Sequence, residues 1–187
     1  MHDTRVILVT GLPATGKTTF ARVVAARYRL PLIGKDVIKE PLFDVLGAPD
    51  AASSRKLSDA SFAVLFAMAR EVGAAGSHVV LEGNFRPGEH ETPLRAALPS
   101  VAPVAAVRNL AQILCRLDEG ERLARLAARL NDQTRHAGHR DFEQSEAAAA
   151  SGSDSFLDLA GERLVHPGAD GHEVLAVLDR WWNLRTV

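Results

Sequence analysis

The sequence has little of several residue types that would point to particular classes of protein. Of its 187 residues, one is cysteine and 5% are aromatic. A single cysteine excludes an internal disulfide and a zinc site built from cysteines. The 22 basic and 23 acidic residues give a net charge of −1, so no overall positive field favours nucleic acid. The apolar runs are too short or too interrupted to span a membrane, and the first residues lack the apolar stretch of a signal peptide. We therefore expect a cytoplasmic protein with no membrane or nucleic-acid partner, and the oligomeric state stays open.

Short apolar runs alternate with segments of helical periodicity. The runs that predict strands are residues 5–10, 30–33, 78–82, 111–117 and 163–165. Helices are predicted to begin near Val37 and at residue 53, to span about 119–130, and to follow a cap at Asp170. Continuous apolar runs are typical of strands that are buried on both faces. Because such strands alternate here with helices, the pattern favours a parallel sheet with helices on both sides. We predict one α/β domain over residues 1–187, with a five-stranded parallel sheet, and a stretch from Pro87 to Asn109 of loop character.

The strongest motif lies between the first strand and the first helix. Residues 11–18 read GLPATGKT, which is the P-loop pattern G-x-x-x-x-G-K-T. Its glycines let backbone N–H groups turn inward around phosphate, Lys17 can reach the β- and γ-phosphates, and the Thr18 hydroxyl can bind Mg²⁺. The alternative is a glycine-rich turn with a surface lysine. It would not explain why the full pattern occurs between a predicted strand and a predicted helix, so the P-loop is favoured. The residues predicted to contact ATP here are Gly11, Leu12, Pro13, Ala14, Thr15, Gly16, Lys17, Thr18 and Thr19.

Two acidic residues follow predicted strands, at the edge where ligands bind in open α/β sheets. Asp36 can accept the proton of an attacking hydroxyl, or it can simply cap the helix near Val37. Lys35 and Lys39 flank it and could attract an anionic substrate, although exposed lysines are usually only solvated. Glu82 ends the third strand, where a carboxylate can hold Mg²⁺ through water.

The residues after Glu82 are expected on the acceptor side of the site. Asn84 could hydrogen-bond a substrate hydroxyl. Phe85 could line the acceptor pocket, and packing in the core explains it equally well. No N-K-x-D sequence, typical of guanine-binding GTPases, occurs in the chain.

Three segments carry a family resemblance: GKDVIKE at 34–40, VLEGNF at 80–85 and RHAGH at 135–139. With the P-loop, their order resembles the small P-loop kinases called AAA-domain-like ATP-binding proteins, a group that includes chloramphenicol phosphotransferase, zeta toxins and polynucleotide-kinase domains. Ala137 stands where the family motif usually has proline. The resemblance implies a three-layer P-loop NTPase fold of the nucleoside-monophosphate-kinase type. It also implies a catalytic aspartate at Asp36 and an arginine-bearing lid at about 133–154.

A group of arginines lies on the predicted helix before this lid. Arg122, Arg125 and Arg129 share one helix face, and an arginine fork can stabilise transferring phosphate. The alternative is a solvated face with pairs to nearby glutamates. The resemblance favours Arg125 and Arg129 as catalytic, with Arg129 and Arg135 contacting ATP, whereas Arg122 is assigned to solvent.

The remaining candidates have simpler interpretations. His136 and His139 lack an evident third metal ligand, so lid hydrogen bonds are favoured over zinc. Cys115 and Trp181 are expected in the core. The sequence thus predicts an ATP- and Mg²⁺-dependent kinase for a hydroxyl of a small molecule such as a sugar, aminosugar, antibiotic or nucleoside. The alternatives are a nucleic-acid 5′-end kinase and an ATP-binding regulator without catalysis.

Overall fold

The architecture is a parallel sheet between two layers of helices. The computed structural model describes residues 4–101, 106–130, 136, 138, 154–168 and 171–183. The strands are β1 (Val6–Thr10), β2 (Leu32–Gly34), β3 (Val79–Glu82), β4 (Leu110–Cys115) and β5 (Glu162–His166). They form one sheet in the order β2-β3-β1-β4-β5, and each neighbouring pair is parallel. The prediction of an α/β fold with a five-stranded parallel sheet is confirmed.

Helices connect the strands and cover both faces of the sheet. They are α1 (Lys17–Tyr28), α2 (Lys35–Leu46), α3 (Ala51–Ala74), α4 (Glu91–Ala97), α5 (Ala106–Asn109), α6 (Glu119–Leu130) and α7 (His172–Asn183), with a 3₁₀ turn at Pro99–Val101. Side chains of β1 alternate between the two faces, as expected for a strand covered on both sides. Val6 and Leu8 pack with α3 and α4, whereas Ile7 and Val9 pack with α1 and α7.

Several predicted boundaries shift by a few residues. Helix α2 begins at Lys35 rather than near Val37, and β4 ends at Cys115 rather than at residue 117. Helix α3 begins at Ala51 instead of residue 53, because the Asp50 carboxylate accepts a hydrogen bond from the Ser53 N–H at 2.7 Å and caps it. The predicted cap Asp170 lies outside the described residues.

The segment from Pro87 to Asn109 is more helical than its prolines suggested. It contains α4, the 3₁₀ turn and α5. Pro93 is the third residue of α4, and the first turn of a helix needs no N–H from its residues, so the proline is accommodated there. The prediction of loop character was wrong over these short helices.

The core-facing side of α6 was also predicted incorrectly. The apolar spacing of this helix predicts that Leu123, Leu126, Ala127 and Leu130 face the core. Leu126 is buried, but Leu123 is 46% exposed and Ala127 is exposed. Arg122, which was assigned to solvent, is only 4% exposed. Its guanidinium is paired at 2.7 Å with the Glu119 carboxylate, which offsets the cost of removing the charge from water. Cys115 and Trp181 lie in the core, as predicted.

A buried glutamine fixes the chain segment that leads into β5. The side chain of Gln112, fully buried on β4, donates to the carbonyls of Leu157 and Leu159 at 3.3 and 3.2 Å and accepts from the Leu157 N–H at 2.9 Å. Arg163 donates to the same two carbonyls from a more exposed position. One amide therefore satisfies backbone groups that regular secondary structure leaves without partners. Within the described residues, no helix combines the length and apolar character needed to cross a membrane.

We expect Gln112→Leu to lower the free energy of unfolding by about 1–3 kcal/mol, because the buried Leu157 N–H loses its acceptor. Arg163→Met removes a donor to the same carbonyls from an exposed residue, so its cost should stay below about 1 kcal/mol. Urea unfolding followed by circular dichroism measures both. Equal losses for the two variants would contradict the central role of Gln112.

Candidate active site

The loop between β1 and α1 has the backbone conformation of an anion-binding nest. Gly11, Ala14 and Gly16 have φ angles of 145°, 70° and 86°. The Thr15 hydroxyl donates to the Leu12 carbonyl at 2.9 Å and fixes the turn from inside. A Cβ at Gly11 would lie 2.3 Å from the carbonyl oxygen of Cys115, so only glycine fits against the end of β4. This loop, residues 11–18, is called the phosphate loop. It leads directly into the N-terminus of α1, whose first N–H groups have no intrahelical partners and could bind an anion.

Oxygen donors suited to Mg²⁺ lie at the start of α1 and the end of β3. The Thr18 hydroxyl donates to Glu82 Oε1 at 3.2 Å. Glu82 is 2% exposed. Burial raises the pKa of its carboxyl group, while Lys17 and the Thr18 hydrogen bond act in the opposite direction.

A hydroxyl beside a carboxylate is a donor set that Mg²⁺ accepts, with phosphate oxygens and waters completing its shell. Among the described residues, no group of three or more His, Cys, Asp or Glu side chains could hold a metal ion. Thr18 and Glu82 thus fit a metal ion that is shared with a phosphate ligand, rather than one held by protein alone.

Asp36 lies in the first turn of α2, beside this pair. Gly34 precedes α2 and is paired with Glu82 across β2 and β3, and a Cβ at Gly34 would lie 3.2 Å from Glu82 Oε2. Because α2 begins at Lys35, with Gly34 at the N-cap position, Asp36 is the second residue of the helix and not its cap. The Asp36 side chain is 33% exposed, and its Oδ1 lies 2.8 Å from Lys35 Nζ. A partly exposed carboxylate therefore stands near enough to Glu82 for its charge to act on that residue, at the edge of the sheet predicted to bind ligands.

The other predicted acceptor-side residues have different surroundings. Lys39 is 2% exposed, and its Nζ donates to the Ser54 hydroxyl of α3 at 3.1 Å. Asn84 is half-buried. Phe85 is fully buried and packs against Phe62 with ring centroids 5.3 Å apart, an arrangement that favours the core-packing interpretation.

The sequence analysis missed a buried arginine and histidine next to Phe85. Arg86 is 6% exposed, and its Nη1 lies 2.6 Å from the Glu89 carboxylate. His90 Nδ1 accepts from the Arg86 N–H at 2.8 Å, and burial together with the Arg86 charge lowers the pKa of His90 to about 4. A neutral His90 therefore carries its proton on Nε2. No sequence period marks these two residues, since they lie in a turn.

A cavity of about 150 Å³ opens on the other side of the phosphate loop. It is lined by Leu12, Thr15, Cys115, Arg116, Leu117, Glu119, Arg122 and Asp154. Burial raises the pKa of the Cys115 thiol to about 12, so this side chain acts as an apolar wall. The buried Arg122 is the one polar lining residue whose position the sequence analysis misassigned.

The arginines of α6 differ in their distance from the phosphate loop. Arg125 Nη1 lies 3.8 Å from the position that a Cβ would take at Gly16, and Arg125 also pairs with Glu121 at 2.7 Å. Arg129 is half-buried one turn further along α6. Arg135 lies outside the described residues. Arg125 is thus next to the loop, and Glu121 holds its guanidinium there.

Two residues of the predicted lid are described at its beginning. His136 Nε2 lies 3.0 Å from Asp44 Oδ1, and its ring meets Phe43 edge-on with centroids 5.6 Å apart. A Cβ at Gly138 would lie 3.1 Å from the Phe43 ring. The start of this segment therefore contacts the C-terminal half of α2, the helix that carries Asp36. Most of the predicted lid at about 133–154, including His139, lies outside the described residues.

The sheet, its helices and the phosphate loop define a small P-loop kinase fold. The sequence model of the AAA domain family (AAA_33) matches residues 6–151, and the chain belongs to this family. No curated protein matches the sequence.

Solved structures of kinases share the fold over nearly its whole length. A provisionally assigned kinase from Chloroflexus aurantiacus J-10-fl is 27% identical, with a TM-score of 0.80 over 95% of this chain and 98% of the other. A gluconokinase from Sinorhizobium meliloti 1021 is 18% identical, with a TM-score of 0.58 and coverage of 96% and 93%. The Mycobacterium tuberculosis APS kinase, solved in complex with AMPPNP and APS, is 15% identical, with a TM-score of 0.54 and coverage of 94% and 96%. The chain therefore has a nucleotide-binding P-loop fold that it shares with these kinases.

We expect Gly11→Ala to weaken ATP binding by at least tenfold and to lower stability, because the added methyl group displaces the Cys115 carbonyl and with it the loop. Gly88→Ala is a matched control: Gly88 also has a positive φ, 81°, but open space surrounds its Cβ position. Isothermal titration calorimetry gives the ATP affinity, and urea unfolding gives the stability. Unchanged ATP affinity in Gly11→Ala would show that the loop does not hold the phosphates.

Proposed function

We propose that the protein is an ATP-dependent kinase that transfers the γ-phosphate of ATP to a hydroxyl group of a small molecule. The observation that carries the proposal is the position of Asp36. The partly exposed Asp36 carboxylate is close enough to Glu82 for its charge to raise the pKa of Glu82, and Glu82 accepts a hydrogen bond from Thr18 at the end of the phosphate loop. An acceptor hydroxyl beside Asp36 would therefore be on the side of the γ-phosphate. A nucleotide-binding regulator without catalysis would not require a carboxylate there.

On the nucleotide side, the loop at residues 11–18 holds the phosphates through its backbone N–H groups. Lys17 lies at the start of α1, where its ammonium reaches the β- and γ-phosphates. Thr18 and Glu82 are the residues that would hold Mg²⁺, and a bound Mg²⁺ would neutralise charge on the β- and γ-phosphates. The cavity beside Leu12 and Arg122 is the place for the nucleoside part of ATP.

On the acceptor side, Asp36 orients the hydroxyl and takes its proton. The hydroxyl oxygen forms a bond to the γ-phosphorus while the bond from that phosphorus to the bridging oxygen breaks, and ADP leaves. Asn84 is half-buried just beyond β3 and can hydrogen-bond a second hydroxyl of the acceptor. Lys39, predicted on the acceptor side, is buried and donates to the Ser54 hydroxyl, so the proposal gives it no direct contact with the acceptor.

The arginines of α6 supply positive charge on the side opposite Asp36. Arg125 lies against Gly16, so its guanidinium can approach the γ-phosphate as charge develops on the transferring group. Arg129 and Arg135 follow along the chain toward the lid and are assigned to ATP. The contact of His136 with Asp44 brings the start of the lid to α2, and a closed lid would exclude water from the transfer.

The acceptor class is proposed from the relatives. Gluconokinase acts on a polyhydroxylated acid, as its name states, and it shares this fold. A sugar, aminosugar, antibiotic or nucleoside offers the hydroxyl that Asp36 requires. The experiment is Mg²⁺-dependent release of ADP from ATP, measured with D-gluconate, glucosamine, chloramphenicol and adenosine as acceptors.

We expect Asp36→Asn to lower kcat for the stimulating acceptor by roughly 10²- to 10⁴-fold, because the amide cannot take the hydroxyl proton. The affinity for ATP should change less than about threefold, since Asp36 contacts the acceptor. Asp158→Asn removes the same charge from an exposed residue and is the control. Normal turnover in Asp36→Asn would disprove the role of Asp36, and ATP binding without turnover for any acceptor would favour a regulator.

We expect Glu82→Gln to raise the Mg²⁺ concentration needed for half-maximal turnover by about 10-fold or more, because the site loses its only proposed carboxylate. Glu173→Gln, at an exposed position of α7, is the matched control. A magnesium titration of ADP release compares the two variants. An unchanged magnesium requirement in Glu82→Gln would contradict the assignment.

A further inference from the structure

Lys35 has a position that the proposed reaction does not yet use. It is the first residue of α2, its side chain is 6% exposed, and its Nζ lies 2.8 Å from Asp36 Oδ1. Consecutive residues of a helix point about 100° apart, so the lysine side chain must fold back to reach its neighbour. A Cβ at Gly83 would lie 3.3 Å from Lys35 Cβ, so the end of β3 packs closely against this turn. The ammonium is thus held in a confined place.

Four charged groups meet at this edge of the sheet. The Glu82 carboxylate is close enough to Lys17, Lys35 and Asp36 for all three charges to act on it. The two ammonium groups balance the two carboxylates. In the proposed reaction Lys17 binds the phosphates of ATP, which leaves Lys35 as the cation paired with Asp36.

Packing alone does not explain why a lysine occupies this position, and the buried Glu82 carboxylate already has Lys17 as its stronger cationic neighbour. Burying an ammonium costs free energy unless it is paired, and an ion pair with a partly exposed carboxylate contributes little to stability. An apolar side chain of similar length would fill the same space without that cost. A charge-assisted hydrogen bond does, however, fix the direction of the carboxylate it binds.

We propose that Lys35 is a positioning residue: its buried ammonium holds the Asp36 carboxylate in the orientation in which it receives the acceptor hydroxyl. This inference rests on the proposed kinase function, in which Asp36 takes the proton of that hydroxyl. Lys35 acts through Asp36 and touches neither ATP nor the acceptor.

The test is a double-mutant cycle with water as the acceptor, so that no identified substrate is needed. ADP release from ATP with Mg²⁺ is measured for the wild type, Lys35→Met, Asp36→Asn and the double variant, and again with D-gluconate, glucosamine, chloramphenicol and adenosine. Lys35→Arg is the conservative variant that keeps the charge. Lys56→Met, at an exposed position of α3, is the control for the substitution. Calorimetric titration with ATP confirms that each variant is folded.

We expect Lys35→Met to lower kcat by roughly 10- to 100-fold, the loss typical of a reacting group misplaced by about 1 Å. The affinity for ATP should remain, Lys35→Arg should recover most of the rate, and the double variant should be no slower than Asp36→Asn alone. If Lys35 only supported the fold, Lys35→Met would lower kcat by the same factor in the wild type and in Asp36→Asn.

The outcomes separate the two proposals. If Asp36→Asn loses activity while Lys35→Met keeps it, or if the two losses multiply, the positioning role is wrong and the kinase function stands. If Lys35→Met no longer binds ATP and Lys35→Arg does not restore binding, the lysine is structural and the positioning role is again wrong. If Asp36→Asn matches the wild type, or the wild type releases no ADP with water or any of the four compounds, the proposed function falls and the inference falls with it.

Discussion

The contact between Gly11 and the Cys115 carbonyl is the constraint on which the site depends. Because a Cβ at Gly11 would come within 2.3 Å of that oxygen, the phosphate loop can lie directly over the end of β4 only without a side chain there. This approach brings the loop between two groups of residues. On one side lie the cavity-lining residues and the arginines of α6; on the other lie Glu82 and the first turn of α2. The parallel arrangement of the strands then places the ends of β1, β2, β3 and β4 at one edge.

At that edge of the sheet, charged side chains are buried or half-buried next to groups of opposite charge. Lys17 and Lys35 face Glu82 and Asp36, while Arg122 and Arg125 each have a glutamate of their own helix as partner. A buried charge is tolerated only with such a partner. The phosphate groups of a bound nucleotide would add negative charge at this edge. Lys17, within the phosphate loop, and Arg125, next to it, would then pair with those phosphates. The pairs on α6 also explain why an arginine assigned to solvent is buried.

The sequence analysis predicted the sheet and the phosphate loop because both have strong local signals. Strands buried on both faces are short apolar runs, and the loop is a fixed pattern between a strand and a helix. Burial of polar residues was harder to predict. The burial of Lys35 and Lys39 depends on contacts with Asp36 and Ser54 that the sequence analysis did not predict. A pair between Arg122 and a nearby glutamate was one of its alternatives, but on a solvated face and not at a buried position. The small helix around Pro93 was missed because a proline in the first turn resembles one in a loop.

Helix α2 connects the two halves of the candidate site. Its first turn carries Lys35 and Asp36, and its C-terminal half carries Phe43 and Asp44, which contact the start of the predicted lid. Asp36 and Asp44 are eight residues apart, just over two helical turns, so their side chains point about 80° apart around the axis of α2, with Pro41 between them. The proposed orientation of the acceptor at one end and the contact with the start of the predicted lid at the other therefore involve the same helix. A kinase must exclude water while it orients a hydroxyl, and a single element that contributes to both tasks couples them.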